Sequence, residues 1–207
     1  MLTAGRIGLK SLLGVAFLMT GCGSHASDQL RDDPSCMEDN AVVAVPLEPR
    51  SHIPQSQTPT YAANPPVSGP HWVVWARWQM YTVTVPRGNY VHNLEHGGVI
   101  FLYKPDAPRK LVDSLTRVYK AIPNDVGWNE TGVVAPCSHP RAILTPDPSL
   151  DTPWAVTVSG PENPAPPLGN GYVIKGSCIR REQALVDFAV QRRNMAIEHF
   201  CDDGGYP

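Results

Sequence analysis

The stretch Val91–Tyr103 reads VHNLEHGGVIFLY. It places two histidines and a glutamate within five residues, then two glycines, then an apolar run. Two readings compete. As H-x-x-E-H on a helix it is the signature of an inverted zincin, with Glu95 as general base. As a turn entering a strand it is a histidine-bearing loop at the mouth of a sheet. Gly97 and Gly98 favour the second, because a glycine costs about 1 kcal/mol in a helix interior. Only a single helical turn before them stays compatible. The run VIFLY predicts a strand buried on both faces.

Working outward, KPDAPRKLVDSLTRVYKAIP follows that strand. Leu111, Leu115, Val118 and Ile122 recur at helical spacing, Asp106 is a candidate N-cap, and Pro123 stops the run. RAILTP, WAVTVSG and YVIKGS read as three strands, expected as an up-down-up meander. RREQALVDFAVQRRNMAIEHF reads as a final helix of about twenty residues, some 30 Å long. Before the opening stretch, MYTVTV (Met80–Val85) reads as a strand ended by Pro86. The strands come in a cluster rather than alternating with helices. The expected class is therefore α+β, a mainly antiparallel sheet with two packed helices and long proline-rich loops. Proline, at 22 of 207 residues, is about twice its usual share of ~5%.

The N-terminus reads as a processing segment. Arg6 and Lys10 precede SLLGVAFLM, too short to span a bilayer, which needs about 20 apolar residues. MTGCGS then resembles a lipobox, with Cys22 as the acylated first residue of the mature chain. The expected organisation is a signal peptide over 1–21, a lipid-anchored tether and N-terminal arm over 22–52, and one α+β domain over 53–207. The protein is expected to be exported to the cell envelope, held by lipid in the periplasm or on the outer membrane. The net charge is −2, and removing 1–21 takes away two basic residues and no acidic one. With no Lys/Arg run left, there is no electrostatic footprint for nucleic acid.

Four further cysteines, Cys36, Cys137, Cys178 and Cys201, read as two disulfides in an exported chain. A long helix between Cys178 and Cys201 would hold them too far apart for a bond, which needs Cα atoms within about 7 Å. The meander and returning helix favour Cys137–Cys201, leaving Cys36–Cys178. A Cys137/His139 metal pair in PCSHP is the competing use of that cysteine.

Of seven histidines, His25 lies in the tether. His52 and His199 read as surface or cap residues. His71 in GPHW, with His92 and His96, forms the candidate metal set. A four-residue spacing can face one way in a helix or a strand. Three imidazoles suit copper or zinc and leave one coordination position open. Glu95 would then orient a ligand from behind, or act as base on a metal-bound water in a hydrolase. The third alternative is an envelope protein whose histidines serve only the fold.

Together YAANPPVSGPHWVVWA, VHNLEHGGVIFLY and ILTPDPSLDTPWAVTVSG resemble an exported bacterial family, the domain of unknown function 3105. The resemblance covers roughly Ile53 to Phe200, and the family's motif histidines fall on His71, His92 and His96. It implies an exported or membrane-anchored protein and brings no activity. The chain departs from it in having VTVSG where a tryptophan–glycine pair is usual, and in its cysteines.

Overall fold

The computed structural model describes residues 29–128, 132–163 and 165–207. The expected signal segment 1–21 and Cys22 lie outside them. Along the chain come β1 (Val43–Pro46), β2 (Ser51–Ile53), β3 (Pro70–Trp72), α1 (Arg87–Glu95), β4 (Val99–Tyr103) and α2 (Arg109–Ala121). Then follow β5 (Val126–Trp128), β6 (Val134–Pro136), β7 (Ala142–Pro146), β8 (Trp154–Val158), β9 (Asn170–Gly176) and α3 (Glu182–Arg192).

The class is α+β. The main sheet has the order β1-β9-β8-β4-β7. Its pairings are antiparallel except that β4 runs parallel to β7. The parallel pair follows from the connection: β4, α2 and β7 form a crossover, and a crossover returns the chain in the same direction. This corrects the expected meander. β8 and β9 are antiparallel neighbours, but β4 lies between β7 and β8, so β7 is not the first strand of a continuous up-down-up set.

The apolar run VIFLY forms β4 near the centre of the sheet and is buried on both faces. Val99 and Phe101 point to a core with Leu115 and Val118 of α2 and Leu185 and Phe188 of α3. Ile100 and Leu102 point to an opposite core with Tyr90, Val91 and Leu94 of α1. The two-residue period of a strand thus divides one apolar run between two layers.

Among the described residues there are three helices rather than the two expected. The additional one, α1, carries part of the opening stretch and is buried from Gly88 to Glu95. The two glycines end it rather than prevent it. Gly97 adopts φ +76°, its N–H reaches Leu94 O, and the Gly98 N–H reaches Asn93 O. That is a Schellman closure, which favours glycine because a Cβ is strained at positive φ.

Other expectations need correction. MYTVTV is not a strand; only Met80 forms a bridge, to Leu144. α2 begins at Arg109 with Pro108 as N-cap, not Asp106. α3 stops at Arg192, about half the expected length. Asn194 adopts φ +67°, and its N–H bonds Gly97 O instead of continuing the helix.

The disulfides are Cys36–Cys178 and Cys137–Cys201. They are consistent with an extracytoplasmic location. Among the described residues no helix is long and apolar enough to cross a membrane.

Candidate metal centre

Three elements meet beside the main sheet. β2 and β3 form a two-stranded parallel ladder in which His52 pairs with His71. Opposed residues of a ladder project to the same face, so both imidazoles point one way. α1 packs against β3 and presents His92 and Glu95, three residues apart on one helix side. The ring centroids form a near-equilateral triangle: His52–His71 4.9 Å, His52–His92 4.8 Å and His71–His92 4.8 Å. One donor atom from each of His52, His71, His92 and Glu95 lies within 4.8 Å of the others.

The glutamate sits at the convergence. Glu95 Oε2 lies 3.0 Å from His71 Nε2 and 3.9 Å from both His92 Nε2 and His52 Nε2. Two of the rings are held from behind. His71 Nδ1 is 2.8 Å from Gly69 O, and His92 Nδ1 is 2.8 Å from Trp72 O. A carbonyl only accepts, so each Nδ1 carries the hydrogen and donates it. In the neutral rings the Nε2 lone pairs therefore face inward. This is how outer partners orient metal-ligating histidines.

Burial first, then the neighbouring His96, lowers the His92 pKa to about 4. That keeps its ring neutral and able to ligate at ordinary pH. Burial, the largest influence, pushes the Glu95 carboxyl up; with a proton between His71 Nε2 and Glu95 Oε2, the hydrogen bond and charge of His71, helped by Arg50, outweigh it and lower the carboxyl below its usual value.

His96, expected among the ligands, lies outside the cluster of converging donors. It is the C-cap residue of α1, one position beyond the helix. Its Nε2 meets Glu198 Oε2 at 3.0 Å, and its ring packs edge-on against Trp75 and Phe200. The expected trio thus contributes His71 and His92, and Glu95 stands among the donors rather than behind them. His52, read from sequence as a surface or cap residue, supplies the third imidazole. No local signal marks it; its role arises from its rung opposite His71.

The arrangement also differs from an inverted zincin. There both motif histidines ligate from one helix, whereas here His96 turns to Glu198, and α1 brings His92 and Glu95 beside His52 and His71 of two strands. Cys137 is in a disulfide, and His139 Nε2 donates to Cys201 O, so the Cys137/His139 pair offers no thiolate. A second donor group, Cys36, Glu38 and Cys178, is closed by its own disulfide.

Fold and site together define an α+β domain with a buried cluster of three histidines and a glutamate. The chain belongs to the family described as protein of unknown function (DUF3105), whose model matches residues 52–162. That span contains all four clustered residues. No curated protein and no solved structure matches the chain.

Proposed function

We propose that the protein is an extracytoplasmic metal-binding domain that holds copper or zinc through His52, His71, His92 and Glu95. One observation carries the reading. With Nδ1–H of His71 given to Gly69 O, its Nε2 lone pair faces Glu95 Oε2 at 3.0 Å. Two acceptors at that distance need a positive charge between them, a proton or a metal ion. His92 and His52 aim at the same carboxylate oxygen. Three nitrogens and one oxygen form a donor set that zinc takes at about 2.0–2.2 Å, and copper also accepts imidazole.

Storage, buffering or delivery of the ion fits a centre whose donors all come from the protein. An N-terminal lipid on Cys22 would keep it at the envelope surface. The untagged chain, loaded with zinc or copper and desalted, is expected to hold one ion. His71→Ala and His92→Ala are expected to lose it. Absence of bound metal on the wild-type chain overturns the reading and leaves the cluster as a fold element.

A metal-dependent hydrolase is the second reading, favoured by the half-exposed His52, which leaves water a path to the centre. Its mark would be turnover of an ester or peptide panel that vanishes in Glu95→Gln while the metal stays bound.

A further inference from the structure

The four donors are not equally sealed. The side chains of His71, His92 and Glu95 are 1%, 5% and 11% exposed, whereas that of His52 is 50% exposed. Their anchoring differs in the same sense. His71 and His92 are each held through Nδ1 by a backbone carbonyl, and Glu95 is held by His71. Among the described residues, no backbone carbonyl holds the His52 ring. Its strand has three residues and pairs on one side only, with β3.

The base of that strand is nevertheless fixed. Two residues earlier, the Arg50 side chain is only 6% exposed and pairs with Glu162 at 2.6 Å; it also donates to Ser159 Oγ at 2.8 Å. The arm therefore stays docked, while the His52 ring touches the cluster only through its ring contacts with His71 and His92 and its approach to Glu95. Rotating one exposed imidazole requires little; removing either buried one breaks a carbonyl anchor and opens the core.

Resting on the metal-binding reading above, we propose that His52 is the exchangeable ligand, the one through which metal enters and leaves. The incoming group is a nitrogen or sulfur donor presented from solvent. The exchange is balanced. The bond between the metal and His52 Nε2 would break as a metal–donor bond forms, no electron moves, and with a nitrogen donor one neutral ligand replaces another. A thiol donor releases its proton to solvent on binding. His71, His92 and Glu95 keep the ion until the acceptor has hold of it.

The test is zinc transfer from the loaded chain to a chromogenic chelator. His52→Ala is expected to retain one zinc on its three remaining donors. It should surrender that zinc at least about tenfold faster, since differences among related sites appear mainly in the off-rate. Free imidazole should slow the variant back toward the wild-type rate by occupying the vacated position. His71→Ala, which loses its zinc, should not regain it in free imidazole, because its position is closed to solvent. Transfer from His52→Ala at the wild-type rate overturns the proposal. So does loss of all zinc from that variant, or equal rescue of His71→Ala. A wild-type chain that binds no zinc overturns the binding reading itself, and this proposal with it.

Discussion

His52 and His71 occupy one rung of the parallel β2–β3 ladder, with ring centroids 4.9 Å apart. A rung of a ladder fixes where two side chains leave the backbone and to which face they point. The third imidazole and the carboxylate come from α1, which packs on β3. The centre is therefore positioned by two rigid elements, and four residues from three segments meet without a dedicated loop.

His96 provides the sharpest contrast within the opening motif. His96→Ala is expected to leave metal stoichiometry unchanged, whereas His92→Ala abolishes it. The first variant should still lose roughly 1–3 kcal/mol of stability, through the Glu198 pair and the packing of Trp75 and Phe200. Metal analysis beside urea unfolding separates the two effects. Loss of metal from His96→Ala would return that residue to the ligand set.

Gly88 controls the seat of α1 on β3. A Cβ there would lie 2.6–2.9 Å from three ring atoms of Trp72. The carbonyl of Trp72 orients His92, so displacing this residue disturbs the ligand behind it. Gly88→Ala is expected to cost about 1–3 kcal/mol by overpacking and to weaken metal binding as well. Calorimetric titration reads the second effect; an unchanged affinity would detach Trp72 from the centre.

Arg141 is fully buried and ties three segments together. It pairs with Asp125 at 2.9 Å and donates from Nη1 to His96 O at the end of α1. Asp125 also faces Arg193, at 3.5 Å, just beyond α3. Arg141→Met is expected to destabilise the fold by about 3–5 kcal/mol, because it breaks a buried ion pair and frees a helix carbonyl. The denaturation midpoint measures it. A change under 1 kcal/mol, by the scale for exposed pairs, would show that Arg193 replaces it.

The metal-free chain should lose stability as the pH falls from neutrality. His92 has its folded pKa lowered from 6.5 to about 4, so the unfolded chain takes up that proton first. Between those two values stability falls with falling pH, by up to the order of 3 kcal/mol for this group. His139, lowered mainly by burial, acts in the same direction. Glu95, lowered from 4.5, adds to the loss at the acid end of the window. Urea midpoints at pH 7, 6 and 5 in the presence of a chelator should decline steadily, and a flat series would contradict the burial of His92.

Much of the architecture is legible locally because it depends on local periodicity. VIFLY becomes β4 because an unbroken apolar run has to bury both faces. Leu111, Leu115 and Val118 specify the buried side of α2 by their helical spacing. The α+β class follows from the clustering of strands. Readings fail where distant residues decide. α3 ends early because Asn194 bonds to Gly97, nearly a hundred positions upstream. MYTVTV forms one bridge to Leu144 and otherwise bonds the side chain of Thr145 rather than a strand ladder. The order of the sheet depends on β4 entering between β7 and β8, which no local pattern announces.

The centre divides along the same line. Sequence by itself marked His71, His92 and His96, with Glu95, as candidate donor residues, and put a stop to any helix at Gly97 and Gly98; it read His92 and Glu95 as lying in a loop, whereas they lie on α1. Tertiary structure alone decided which donors converge. It brought in His52, whose neighbours in the chain carry no ligand pattern, by pairing β2 with β3 in one register. It removed His96 by placing it past the end of α1, where its ring turns to Glu198. A side chain's direction depends on the element that carries it and on what that element packs against, and both are set by contacts between residues remote in sequence.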